Sequence, residues 1–179
     1  MTRTADADVI GLVRSAAKGD EVAFARIVDA YHDDMRRICA FVARDHDIAE
    51  DACQAAWSIA WRKLGSIREP ARLRPWLMRV AVNEARKQLH QRGRRAEVEW
   101  LAARAGSSSE TDPETGIDAL DLRAALDHLN PDDRALLAMR YVAGFNASEL
   151  SEALGITPSG TRNRLERLTA RLRRDLGDG

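Results

Sequence analysis

The chain has 179 residues, enough for one medium domain or two small ones, each with only a modest core. Its 28 Lys and Arg balance 28 Asp and Glu, so the molecule as a whole exerts no net pull on nucleic acid. No apolar run nears the ~20 residues needed to span a bilayer, and the N-terminus lacks the basic-then-apolar pattern of a secretory signal; a cytoplasmic protein without membrane insertion is expected.

Nearly every segment reads as helix, and no stretch alternates convincingly as a strand. Asp8 to Lys18 is a short amphipathic helix on Val9, Leu12, Val13 and Ala16, broken at Gly19-Asp20. From Glu21 to Ala43, Phe24, Ile27, Val28, Tyr31, Met35, Ile38, Cys39 and Val42 recur every three or four residues, which predicts a long helix with one buried face. Asp47 is placed to cap a helix from Ile48 to about Leu64. Gly65 to Pro75 reads as a basic, proline-bearing loop, and Trp76 to about Gln91 as a further helix. Residues 8–95 thus form one compact helical unit. Cys39 and Cys53 fall inside these helical patterns without CxxC spacing, and His32, His46, His90 and His128 are scattered. Free thiols, buried or half-buried, are expected, with no metal or cofactor site.

Charge is segregated along the chain. Residues 62–95 are strongly basic against only Glu69 and Glu84, whereas residues 97–121 are acidic with Arg104 as the sole cation. Two basic surfaces therefore flank an acidic stretch, and the two halves have the means to pack through the acidic linker and the basic faces. Residues 96–116, with Gly106-Ser-Ser-Ser109, Pro113 and Gly116, have the composition of a flexible linker. Ala96 to Ala105 retains some helical character.

The second unit, residues 117–177, opens with a helix from Ile117 to Leu129. Asn130 caps and Pro131 opens the next, which runs through Val142 and closes at Gly144. Ala147 to Leu154 then meets a glycine turn at Gly155; Thr157 caps and Pro158 opens a last helix reaching Leu176. That is the layout of a helix-turn-helix, whose second helix enters the major groove of DNA. Thr161, Leu165, Leu168, Leu172 and Leu176 form its inward stripe, flanked by Arg162, Asn163, Arg164 and Arg167 near the helix start. Arginine suits the guanine edge and asparagine the adenine edge. A plain solvated helix also accommodates arginines, but the glycine turn and the cap favour the DNA-reading form.

Taken together, these segments resemble a bacterial RNA polymerase sigma factor of the sigma-70 family, in the small extracytoplasmic-function group that keeps regions 2 and 4. The resemblance rests first on Gly19-Asp-Glu-Val-Ala-Phe24, Ala49-Glu-Asp-Ala-Cys-Gln54 running to Trp61-Arg-Lys-Leu64, and Trp76-Leu-Met-Arg-Val-Ala-Val-Asn83. It continues in Leu129-Asn-Pro-Asp-Asp-Arg134, Phe145-Asn-Ala-Ser-Glu-Leu150 and the helix-turn-helix. It implies an all-α protein of two small helical domains joined by a linker, binding without catalysis to core polymerase and promoter DNA.

The resemblance also assigns residues. Glu50, Asp51, Gln54, Trp57 and Trp61 match region 2.2, which docks on the clamp helices of the polymerase largest subunit, while region 4 meets the flap. Arg68, Arg72, Arg74, Trp76, Arg79, Asn83, Arg86 and Lys87 match regions 2.3 and 2.4, which recognise and open the minus-10 element. Melting needs cations for the exposed strand and a stacking surface for its bases; Trp76 is expected to serve mainly the domain core, with Leu77 and Val80. Ser159, Arg162, Asn163, Arg164 and Arg167 match the minus-35 contacts. The sequence departs from the family at Ala55, Val82, Lys87 and Thr161, where glutamate, arginine, aspartate and valine are usual. An anti-sigma factor is a further partner consistent with this family. Rival expectations are a stand-alone helix-turn-helix regulator and a sigma-like regulator that does not open promoters. A small helical enzyme is set aside, because no nucleophile, base and carboxylate set, phosphate loop or metal spacing appears.

Overall fold

The computed structural model describes residues 2–103, 122 and 124–177, with side chains placed for residues 9–94, 122 and 124–177. Its helices are α1 (Thr2–Ala16), α2 (Glu21–Ala43), α3 (His46–Lys63), α4 (Leu73–Ala103), α5 (Pro131–Leu137), α6 (Ala147–Leu154) and α7 (Pro158–Asp175). Short 3₁₀ turns at Leu64–Ser66 and Pro70–Arg72 bridge α3 and α4, and α5 runs into a π-helical turn over Ala138–Val142. No strand forms among the described residues.

Local chemistry sets most of the boundaries. Asp20 caps α2 by accepting the Ala23 N–H at 3.0 Å. The next cap is Asp45, which accepts from Ile48 N at 2.9 Å, and not Asp47 as expected. Arg44 ends α2 in the left-handed region (φ 58) and Asp45 is extended, so the break is already complete two residues earlier. Asp47 instead lies in the first turn, where a carboxylate complements the positive helix end. Helix α4 begins at Leu73, before Trp76, because Pro75 falls in the first turn, where its missing N–H leaves no hydrogen bond unmade. It also continues through Gly93 to Ala103, well past Gln91. Of the helix expected over Ile117–Leu129, residues 124–127 are helical; residues 117–121 and 123 lie outside the described set, as does the part of the linker from residue 104.

The first unit packs α2, α3 and α4 around Ile27, Met35, Ile38, Val42, Leu64, Leu73, Leu77, Met78 and Val82, with Val13 and Ala16 of α1 closing one side. Helix α3 contributes Ala49, Ala52, Ala56 and Ala60, all buried, so its backbone lies close to its neighbours without large side chains. The second unit gathers Leu126, Leu129, Leu136, Met139, Phe145, Leu150 and Leu168. These clusters are continuous: one apolar core runs from the first unit into the second.

Polar bonds fix that junction. Buried Arg134 donates through Nε to the Val42 carbonyl at 2.8 Å and through Nη1 to the Leu129 carbonyl at 2.7 Å. Arg44 pairs with Asp127 at 2.7 Å, and Arg86 with Asp132 at 2.5 Å. Arg74 holds Asp34 through Nε (3.1 Å) and Nη2 (3.0 Å) and the Ala143 carbonyl through Nη1 (2.9 Å). The junction thus pairs Arg44, Arg74 and Arg86 of the first unit with Asp127, the Ala143 carbonyl and Asp132 of the second, and Arg134 of the second with the Val42 carbonyl of the first; the expected packing through the acidic linker falls on residues 104–121, outside those described. Replacing Arg134 with methionine keeps much of the volume but leaves two buried carbonyls without their charged donor. The expected loss is about 2 to 3 kcal/mol of stability, measured by denaturant unfolding.

Candidate nucleic-acid interface

The last two helices form a bihelical corner with every end capped. Asn146 accepts from Ser148 N and Glu149 N, and Glu149 returns a carboxylate to Asn146 N at 2.8 Å, a reciprocal capping box. Gly155 closes α6 with φ 66, a conformation that costs a side-chain-bearing residue but not glycine. Thr157 then accepts from Gly160 N at 3.1 Å and opens α7. A Cβ on Gly160 would sit 3.1 Å from that same Thr157 hydroxyl oxygen, so the glycine in this first turn leaves room for the cap. Inside the corner, fully buried Thr161 meets Ser151 hydroxyl to hydroxyl at 3.3 Å. Leu168 is buried, and Leu165 and Leu172 pack against the core from its edge.

Outward from the corner stand Ser159, Arg162, Asn163 and Arg167, all exposed. Arg167 leans back to donate to the Asn163 carbonyl at 3.3 Å. Arg164 is different: its Nε and Nη2 converge on Asp133 Oδ1 at 2.8 and 2.6 Å, so the guanidinium is held against α5. Asp133 belongs to the acidic first turn of α5, two helices before α7, and its pairing with Arg164 spans 31 residues.

The second basic face surrounds the turn between α3 and α4. Arg68, Arg72, Trp76 and Arg79 line a cleft of about 340 Å³, with Ile67 and Pro75. Its far wall is Phe145, Glu149, Glu152 and Ala153 of the second unit. Trp76 is half-buried, packing on the core while also lining the cleft. Asn83 and Lys87 are exposed further along α4, with Lys87 Nζ 3.1 Å from Glu84. Arg74 and Arg86, partly exposed like Arg79, differ from the rest in being bound into the junction.

A third surface lies along α3. Glu50, Asp51 and Gln54 are exposed, and Trp57 and Trp61 continue the same helix against Phe24 in edge-on contacts, at ring separations of 5.8 and 4.8 Å. Trp57 is half-buried and donates from Nε1 to His32 at 3.2 Å, whereas Trp61 keeps 37% of its surface exposed. Behind this face Cys39 and Cys53 are buried free thiols. A hydrogen bond with Cys53, together with burial, raises the pKa of Cys39, which keeps it protonated.

Two family models match the chain: sigma-70 region 2 over residues 27–95 and sigma-70 region 4 over residues 119–172. The sigma factor CarQ of Myxococcus xanthus is 30% identical over 168 residues, covering 89% of this chain and 92% of CarQ. The chain belongs to the sigma-70 family of RNA polymerase sigma factors. Its relatives place it in the extracytoplasmic-function type: SigM of Mycobacterium tuberculosis is 28% identical over 93% of this chain and 83% of SigM. A probable sigma factor of Xanthomonas campestris, RfaY, is 32% identical over 168 residues; the chain spans 42% of that relative's length. Among solved structures, the sigma factor RpoE of Bartonella quintana, crystallised with the anti-sigma factor NepR, superposes with a TM-score of 0.70 at 24% identity, over 86% of this chain and 96% of that one. CnrH, solved in complex with the cytosolic domain of CnrY, gives 0.67 at 22%, over 96% of this chain and 98% of that one. Both likenesses concern the fold.

In region numbering, α2 to α4 carry region 2 and α5 to α7 region 4. No helix of the described residues is long and apolar enough to cross a membrane. For the region 4 corner, Thr157→Ala removes the cap of the recognition helix and is expected to cost about 1 kcal/mol, while Thr157→Ser is near neutral; thermal unfolding of the two variants side by side measures the difference.

Proposed function

We propose that this sigma factor binds core RNA polymerase and gives it promoter selectivity by two separate DNA contacts, without catalysis of its own. The observation that carries the proposal is the exposed row Ser159, Arg162, Asn163 and Arg167 on the capped first turns of α7, the end that groove-reading helices present to bases and phosphates. These residues are assigned to the minus-35 element. Arg68, Arg72 and Arg79, with Trp76 beside them, are assigned to the minus-10 strand: the cations hold phosphates while the indole offers a face to an unstacked base. Asn83 and Lys87 extend that contact along α4, and Arg74 and Arg86 join it once released from the junction.

Glu50, Asp51 and Gln54, with Trp57 and Trp61, form the proposed docking face for the clamp helices of the polymerase, and region 4 the contact with the flap. An aromatic pair braced by Phe24 is a preorganised anchor of the sort that dominates interfaces. In the arrangement described, Glu149 and Glu152 face the cleft of Arg68, Arg72 and Arg79, so DNA entry there requires region 4 to leave. Polymerase binding is proposed to hold the regions apart, and tethering then raises the local concentration of each weak DNA contact for the other. An anti-sigma factor, the class of partner that holds RpoE, is proposed to favour the closed arrangement.

Reconstitution with purified core polymerase and run-off transcription from a genomic promoter library tests the proposal. Selective starts that depend on the chain support it; an operator bound by the chain alone, with no association with core, replaces it by a stand-alone regulator. Within that assay, Arg162→Ala is expected to cost about 1 to 3 kcal/mol of discrimination at one base pair. Arg68→Ala with Arg72→Ala is expected to weaken holoenzyme binding to all promoters alike and to lower the log–log salt slope by roughly 1 per lost phosphate contact. Trp61→Ala is expected to weaken core association by about 2 kcal/mol, read by fluorescence titration, with DNA selectivity intact in the complex that forms.

A further inference from the structure

The recognition helix is lightly held. Of its residues only Thr161 and Leu168 are buried, with half-buried Leu165 and Leu172 packed at the edge of the core, so this narrow seam opposes rotation less than a broad buried face would. The firmest polar link to α7 comes from the first turn of α5. Asp133 Oδ1 takes two nitrogens of Arg164 at 2.8 and 2.6 Å, and the pair is well covered, with 13% of the Asp133 side chain and 32% of that of Arg164 exposed.

The carboxylate is itself immobilised. Its second oxygen, Oδ2, accepts from Asn130 Nδ2 at 2.8 Å, and the Asp133 N–H donates to Asn130 Oδ1 at 2.8 Å, the bond by which Asn130 caps α5. Arg164 is thereby fastened to a cap that cannot turn without breaking the start of another helix. Its neighbours Arg162, Asn163 and Arg167 are the exposed residues of the reading face. A small rotation of α7 moves all of them together against the bases, since productive contacts demand placement to a fraction of an ångström.

We propose that Asp133 is a positioning residue for minus-35 recognition, acting through Arg164, which orients the recognition helix and does not itself read a base. This rests on the assignment of region 4 to promoter DNA made above. It divides the arginines of α7 into two kinds: one fixed inside the protein, the others offered to the groove. The charge is also balanced, because an unpaired carboxylate at this spot would repel phosphate.

The test uses the full chain with core polymerase on a promoter pool randomised across the minus-35 element, with a constant minus-10 element, and reads the enrichment of transcribed sequences. Asp133→Asn and Arg164→Met are each expected to flatten enrichment at every position by about 10-fold, with core association unchanged, and the double variant to be no worse than either. Arg162→Ala, in contrast, should lose preference at a single position. The proposal is overturned if Asp133→Asn keeps wild-type enrichment, or if Arg164→Met loses preference at one base pair only, as a direct reader would. Should both variants lose helicity, Arg164→Lys decides, since it keeps the charge but only one donor group: uniform flattening supports the proposal and full enrichment overturns it. A wild type without minus-35 enrichment removes the promoter-reading function itself, and this proposal with it; that result is distinct from flat variants beside a selective wild type.

Discussion

The arrangement of the two regions depends on one cation placed at the end of one helix. The last carbonyls of α2 have no partners within the helix, and the chain leaves through Arg44 in a left-handed turn. Arg134, arriving from region 4, donates to the Val42 carbonyl there and to Leu129 of its own region. The negative end of α2 favours a positive group at this position. Burial lowers the pKa of the guanidinium, while nearby Asp127 acts in the opposite sense and Arg44 adds to the lowering. An arginine remains charged under these conditions, so the interface keeps a buried cation that only correctly placed carbonyls satisfy. That makes the docking specific in orientation, which an apolar patch alone does not achieve.

Around this point the same side chains serve two purposes. Arg74 and Arg86 lie in the stretch proposed for the minus-10 contact, yet here they hold a carbonyl and a carboxylate of region 4. Carboxylate and phosphate compete for the same donors, so on the proposed assignment the closed arrangement and strand binding exclude each other at these residues. The acidic wall of Glu149 and Glu152 opposite Arg68, Arg72 and Arg79 extends this exclusion across the cleft. Under the proposed opening, the same step that separates the regions frees the cations assigned to DNA.

Much of this was visible in the amino-acid order because helical periodicity and capping are local. The stripe along α2, the Asn130 and Thr157 caps, the Gly155 turn and the helix-turn-helix all follow from residues within a few positions of one another. The errors are local too: Asp45 and Asp47 both suit a cap, and only the left-handed exit at Arg44 selects the first. Ala96 to Ala105 carried some helical character, but Gly93 and the basic run around it hid that α4 runs unbroken to Ala103, and the π-helical turn at Ala138–Val142 has no periodic signature. What could not be read at all was pairing over distance. That Arg164 belongs to Asp133, Arg86 to Asp132 and Arg44 to Asp127 is decided by how helices pack, and each of these arginines looks, in sequence, like any other surface cation. The tryptophans of α3 show the same limit, since their bracing against Phe24 and the partial exposure of Trp61 are settled by packing and not by their positions in the sequence.

The alanine row of α3 has a consequence for how such a protein can change. Ala49, Ala52, Ala56 and Ala60 are sealed between α2 and α4, where even one added methylene forces the packing apart. Their helix nevertheless carries Glu50, Asp51, Gln54 and Trp61 on its other side, open to solvent. Architecture and, on the proposed docking, allegiance are thus inscribed on opposite sides of a single cylinder. Substitutions can retune which machine the protein serves while leaving the scaffold intact, and a lineage can drift in its partnerships without first having to relearn how to fold.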